Sequence, residues 1–399
     1  MDRCYVVGGG IAGLVAANAL AASGRTVTLM EQAQTLGGRA RTVEDRGYSL
    51  NFGPHALYRA GATFRTLESW GISIRATAPV LKDRSYYTRV REKFAFVRDG
   101  AGLAKSTMFG LEDQARAALA LAALSGAAKQ DETASDWIAR HGSSQPLIDF
   151  LSAMFRVSTY AGDLSQLSAQ AALDQLRISR EGGVLYLDGG WQSMVRALEE
   201  RACSLGVEIR RGEKLRDLHT LKGAPVILAI PADQVTSLTG IAIPGLVPAR
   251  MACLTLGLTR LPEEASLFAL GMDRPLYLSV HSHWAKVAPE GRALVHLGKY
   301  HASDAAQDRA ELEAFATEHI PGWKDCAEIV QFLPSMTVTH AMFGLDGRPD
   351  VDALRRDGVL IAGDWVGPTG LLADAATSSG LRAAAYYSET GRERDFQGP

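Results

Sequence analysis

Cys4-Tyr5-Val6-Val7-Gly8-Gly9-Gly10-Ile11-Ala12-Gly13-Leu14-Val15 is the stretch that decides how this chain folds. Its short β-branched and aromatic run reads as a buried parallel strand that stops at glycines. The helix predicted next carries Ile11, Leu14, Val15 and Leu20 on one side and stops at Gly24. A second strand, Thr26-Val27-Thr28-Leu29-Met30, ends at Glu31. Strand, turn, helix and strand within about 30 residues make a right-handed βαβ unit. Inside it, Gly8-x-Gly10-x-x-Gly13 meets the demands of a dinucleotide turn. Gly8 permits the sharp bend, Gly10 lets the backbone approach a pyrophosphate, and Gly13 brings helix against strand. The start of the helix, at Ile11 and Ala12, offers unpaired N–H groups and partial positive charge to the phosphates. Glu31 is placed to accept hydrogen bonds from an adenosine ribose with a free 2′-hydroxyl.

Composition narrows the class. The 399 residues predict two domains, and a net charge of -2 argues against a nucleic-acid partner. Cys4, Cys203, Cys253 and Cys326 lie far apart with no C-x-x-C pair, so neither a disulfide framework nor a metal site is expected. The N-terminal residues lack a basic and apolar leader, which predicts a cytoplasmic protein. Oligomeric state leaves no mark in the sequence.

The βαβ pattern does not run through the whole chain. Short strands are predicted at 85–88 and 94–97, and helices at 111–128, 134–141, 146–158 and 168–177. Alternation resumes after Gly189-Gly190, with a helix at 191–204 and strands at 207–210 and 225–230. Strand-like alternation at 251–258 and 276–300 predicts a second sheet; a strand at 358–364 and a helix at 375–387 close the chain. The expected architecture is α/β. A discontinuous nucleotide domain (1–75, 188–240 and 346–399) is joined to a discontinuous α+β substrate domain (76–187 and 241–345).

Leu36-Gly37-Gly38-Arg39-Ala40-Arg41, soon after Glu31, resembles the G-G-R segment of the superfamily of FAD-dependent amine oxidases, phytoene desaturases and protoporphyrinogen oxidases. The resemblance implies a Rossmann-type (GR2-like) fold and non-covalent FAD. It implies that Gly37 and Gly38 pass beside the pyrophosphate while Arg39 and Arg41 neutralise it, as diffuse guanidinium charges can. Asn51-Phe52-Gly53-Pro54-His55 resembles the loop that reaches the flavin ring, and Asp188-Gly189-Gly190-Trp191 the crossover back into the FAD domain. Val207–Leu218 is similar to a strand pair whose apolar residue, here Leu215, touches the adenine. Ala362-Gly363-Asp364-Trp365 and the segment 373–380 resemble the last FAD motif. There Asp364 would hold the ribityl or phosphate region, and backbone at Leu371, Leu372 and Ala373 would face the flavin. The helix start would favour an anionic reduced ring. Two departures stand out: Ala376 or Thr377 replaces an expected acid, and no cysteine lies near Trp365 for a covalent flavin bond.

The chemistry expected is hydride removal from a C–H bond of a small organic, largely apolar substrate, as in desaturases. The 111–128 block is then a candidate for peripheral membrane contact, although it lacks basic and aromatic anchors and equally suits a packed Ala-rich helix. The alternative is amine oxidation, with Lys299 holding a water near the flavin and Trp365 one member of an aromatic pair. His55 is the third catalytic candidate, and Arg156 with Tyr160 could line a polar end of the pocket. His281, His283 and His296 read as structural. A third reading is flavin binding without turnover. One glycine-rich turn predicts no second site for NAD(P)H.

Overall fold

The computed structural model describes residues 3–90, 92–97, 102, 106–355 and 358–389. Five parallel strands form one sheet in the spatial order Glu208–Arg211, Thr26–Glu31, Arg3–Val7, Val226–Leu228 and Val359–Ile361. Arg3–Val7 thus has the second strand on one side and the later strands on the other. That reversal of direction opens a crevice at the carboxyl ends of the strands, where open α/β sheets take their ligands. The helices Ile11–Ala22, Gln192–Ser204 and Leu372–Glu389 cover the sheet, with Leu14, Leu20, Leu198 and Ala383 in one shared apolar core.

A second, mostly antiparallel sheet runs Ala327–Thr339, Ala249–Leu258, Ala293–Tyr300, Leu276–Val280, Phe268–Gly271, Ser85–Arg89 and Glu92–Ala95. Both its faces are covered. Leu254, Leu278, Val295 and Leu297 pack with Leu312 and Phe315 of the helix Ala305–His319. On the other face Met251, Cys253, Tyr277 and Tyr300 join the core of a helical layer made by Leu111–Ala123, Ala134–His141, Gln145–Thr159 and Ala169–Gly182. Successive strand side chains alternate between these two environments.

Several expectations change. The long edge strand Ala327–Thr339 has no counterpart in the sequence reading. Pro334 interrupts its pattern, and the pairing with Ala249–Leu258 slips between Met251/Met336 and Cys253/Leu333. Proline is tolerated on an edge strand at such an irregularity. Val207–Leu218 is not a strand pair; Glu208–Arg211 is one strand, and Leu215 follows in a loop. The helix predicted over 111–128 stops at Ala123. Ala117, Ala120 and Leu121 are buried, while Arg116, Ala118 and Leu119 are exposed. Among the described residues, no helix is long and apolar enough to cross a membrane. Parts of the predicted 346–399 segment, 356–357 and 390–399, lie outside the described residues.

Candidate active site

The carboxyl ends of the parallel strands open into a cavity of about 730 Å³ that extends to the second sheet. Its floor is the glycine turn. Gly8 has φ +106, and a Cβ there would lie 2.3 Å from the Ala229 carbonyl oxygen. A Cβ on Gly13 would stand 1.8 Å from the carbonyl oxygen of Gly8, so Gly13 packs against the turn without lining the cavity. Around the Gly10 Cβ position nothing lies within 4 Å, which leaves the backbone open to a ligand. Gly8, Gly10, Ile11 and Ala12 line this floor. The first turn of the helix carries no acidic side chain to cancel its positive end. Glu31 Oε2 accepts the Gly9 N–H at 2.7 Å, and Oε1 accepts the Ala33 N–H at 2.8 Å, so the carboxylate braces the turn from the second strand.

Gly37, Gly38 and Arg39 form one side. The Arg39 guanidinium lies 2.7 Å from Asp364 Oδ1 and also donates to the Val338 carbonyl. Asp364 accepts the His340 backbone N–H at 2.8 Å and faces His340 Nδ1 at 3.1 Å. Burial alone would raise the Asp364 carboxyl; Arg39 and then His340 outweigh it and hold the group well below the usual carboxylate range. Arg348 fastens the loop beyond. It donates to the carbonyls of Asp364, Gly367 and Gly370, its charge sits 4.8 Å from the Phe343 ring centre, and burial pulls its pKa down to about 10. Leu215, Ile230 and Gln234 also line the cavity.

At the other end Phe52, Pro54, His55, Leu57, Tyr58, Tyr160, Trp191 and Met336 form the wall. Gly53 lies behind this loop: its φ is +81, and a Cβ would sit 2.8 Å from Met336 Cε and 3.0 Å from Cys253 Sγ. A side chain there would be strained by the positive φ and would have to displace Met336 where the loop meets the second sheet. His55 turns Nδ1 toward the Gly53 carbonyl at 3.0 Å, meets Trp191 edge-on, and is kept neutral as burial lowers its pKa. Tyr58 donates to the Ser158 carbonyl at 2.6 Å. Leu372, with φ +55, and Ala373 bring the start of the last helix to the cavity.

Asp374 was not singled out in the sequence, where the family acid was sought at Ala376 or Thr377. Its buried carboxylate lines the cavity and accepts the Thr63 N–H at 2.8 Å. Burial raises its pKa. Its position in the first turn of an amphipathic helix was the available signal.

Arg41, Leu371 and Lys299 are not brought to the cavity, and Trp365 reaches it with its indole N–H already engaged. Arg41 lies over the Phe52 ring at 5.0 Å, and Leu371 is packed in the core of the helical layer. Trp365 lines the cavity, but its indole N–H is tied to the Ile230 carbonyl, beside the Ala229 turn that backs Gly8. Lys299 lies on the far face of the second sheet. It is paired across the strands with Ala252 and Leu276, both in the core under the helix Ala305–His319. Its Nζ binds Asp308 at 2.7 Å and Glu311 at 2.9 Å. Alternation along Ala293–Tyr300 sends position 299 away from the cavity.

A strand-order reversal, a glycine turn open at Gly10 and a long cavity reaching a second sheet define a dinucleotide-dependent enzyme of two-part architecture. The sequence signature of the family "flavin containing amine oxidoreductase" matches residues 11–240, more than half of the chain, and the chain belongs to that family. That family is one of flavin-containing oxidoreductases. An oxidoreductase from Methanosarcina mazei has the same fold, with a TM-score of 0.78 at 17% identity over 96% of this chain and 100% of that one. An L-amino-acid oxidase of Sistrurus catenatus edwardsii is 30% identical over 105 residues, 26% of this chain and 20% of that protein. A phytoene dehydrogenase of Streptomyces griseus is 44% identical over 57 residues, 14% of this chain and 11% of that protein. The chain therefore matches a fifth or less of the length of these curated relatives.

Proposed function

We propose that the chain removes a hydride from a C–H bond of a largely apolar organic substrate, in the manner of a desaturase. FAD, when bound, supplies the hydride acceptor. Gly8, Gly10, Gly37, Gly38 and Arg39 would hold its pyrophosphate, Glu31 and Leu215 its adenosine, and Asp364 its ribityl region. Pro54, His55, Leu372 and Ala373 would meet the ring. The observation that carries the reading is the wall at that end. Phe52, Leu57, Tyr58, Tyr160 and Met336 offer carbon-rich surface, and the Tyr58 hydroxyl is spent on Ser158. Among the described lining residues the lysine is Lys214, next to Leu215 at the adenosine end. Such a surface excludes water and orients a substrate by shape. His55, kept neutral by burial with Nδ1 on the Gly53 carbonyl, adds a polar edge to this wall.

The test is anaerobic mixing of FAD-loaded protein with two substrate panels, polyprenoid hydrocarbons and primary amines, reading the visible flavin band. Bleaching by an apolar C–H donor supports the proposal. Bleaching by amines alone assigns amine oxidation in its place, and a band that no donor bleaches leaves a flavin binder without turnover.

A further inference from the structure

We infer that Asp374 is a proton site tied to the redox state of the bound flavin: its carboxylate gains a proton when the ring is reduced and releases it when the ring is reoxidised. The inference rests on the reading that seats the ring against Leu372 and Ala373, and it holds for any substrate that reduces the ring. Four carboxylates are buried among the described residues: Glu132, Asp308, Asp364 and Asp374. The first three each meet a cation at 2.7 Å, respectively Arg140, Lys299 and Arg39. Asp374 is 3% exposed, has no such cation, and its Oδ2 has no hydrogen-bond partner. Yet it lines the cavity, one position beyond Ala373.

The starts of two helices take the place of a cation. Asp374 lies in the first turn of Leu372–Glu389, and its Oδ1 accepts the N–H of Thr63, in the first turn of the helix Ala62–Ser69, at 2.8 Å. The N-cap of that second helix is Gly61, which has no side chain to cap it, and a Cβ there would lie 2.2 Å from Asp374 Oδ2. Helix starts favour an ionised acid. Burial without a cation favours the protonated one, and burial prevails: it raises the carboxyl against the Thr63 N–H and hydroxyl and the charge of Arg65. Among the described residues, Tyr58 and Arg65 are the titratable groups set against it from the packed elements. Arg65 is exposed, and Tyr58 gives its proton to the Ser158 carbonyl. The balance is therefore open to a new charge nearby. A hydride brings the ring two electrons and one proton, hence one added negative charge. An ionised Asp374 would cancel the positive end of the helix that faces that charge. Two like charges in a pocket shielded from water disfavour each other, and one proton taken from water onto Asp374 removes the conflict. The proton returns to water when the ring gives up its electrons.

The experiment reduces FAD-loaded protein stepwise with dithionite beside reference dyes, at intervals from about pH 5 to about pH 9. The midpoint potential of the wild-type protein should fall more steeply with pH than that of Asp374→Asn. The difference should reach about 30 mV per pH unit where one extra proton accompanies two electrons. Asp374→Asn keeps an oxygen for the Thr63 N–H. Its potential should lie above the wild-type value at high pH, where Asp374 is ionised, and the two should converge at low pH, where both side chains are neutral. Infrared difference spectra of the wild-type protein, reduced minus oxidised, should gain the carbonyl stretch of a protonated carboxyl. That band should be missing from Asp374→Asn. No substrate enters, so a failure of the desaturase reading leaves the result standing. A wild-type spectrum that gains no such band would overturn the inference. So would potentials that run parallel at a constant offset, which would keep the ring beside a fixed charge. Potentials and oxidised visible bands that coincide throughout would overturn the inference and the ring's seat with it.

Discussion

On the face of the second sheet turned to the helix Ala305–His319, Lys299 meets Asp308 at 2.7 Å and Glu311 at 2.9 Å, and Asp308 also takes the N–H and hydroxyl of Ser303. On the opposite face, the very next residue, Tyr300, has a buried hydroxyl with no partner, and His296 has a ring nitrogen in the same state. Every residue of Ala293–Tyr300 is buried, although Glu311, one partner of Lys299, has a side chain 37% exposed. A closed network stabilises the fold, whereas a buried polar group left unmatched costs free energy. The contrast shows that neighbouring residues of one strand can meet very different degrees of polar satisfaction on its two faces.

The largest effect should come from opening the closed network. Burial raises the Asp308 carboxyl and Lys299 brings it back below the ordinary range; for Lys299 burial pulls downward and Asp308 upward. Lys299→Met leaves Asp308 buried without its cation and should cost about 3–5 kcal/mol in urea unfolding. Pairing it with Asp308→Leu should recover most of that loss. Flavin reduction by substrate should be unchanged in the double variant, and a fall in its rate would return Lys299 to the active site.

A smaller effect is expected from the unmatched face as pH falls. Burial lowers the His296 pKa to about 3, against about 6.5 in an unfolded chain. Protons therefore bind the unfolded state first, so the contribution of neutral His296 is intact above about pH 6.5 and is lost as pH drops toward 3. Unfolding midpoints measured at pH 7 and pH 4.5 should converge in His296→Gln. The slope should shrink by up to about 1.4 kcal/mol per pH unit, since one titrating proton is removed. An unaltered slope would mean that His296 is protonated or solvated in the fold.

The smallest stability effect should be that of Tyr300→Phe. No hydrogen bond is lost, and a buried unpaired hydroxyl is removed, so stability should stay within about 1 kcal/mol or rise. A loss above about 2 kcal/mol would show that the hydroxyl is satisfied inside the protein, which would bring the two faces back to one kind.

The nucleotide half was legible in the sequence because backbone geometry demands particular residues. Gly8 and Gly13 stand where a Cβ has no room, and Glu31 ends the strand that braces their turn. The Gly37-Gly38-Arg39 segment and Asp364 follow the same logic, and both reach the cavity. The second sheet was legible only in outline. Where both faces of a strand are buried, hydrophobic alternation fades, and nothing in Val295-His296-Leu297-Gly298-Lys299-Tyr300 tells which parity looks inward. Lys299 was therefore placed by type and not by face. Pro334 concealed the edge strand that brings Met336 and Val338 to the cavity. Arg348 shows its role only through three carbonyls that converge after the chain has folded.

A crystal structure of the FAD complex tests the division between the two faces most directly. The flavin ring is predicted to lie against Pro54, His55 and Ala373, with Tyr58 and Tyr160 across from it. Lys299 should remain on Asp308 behind the sheet. A ring seated elsewhere, or Lys299 turned into the space beside it, would contradict the account.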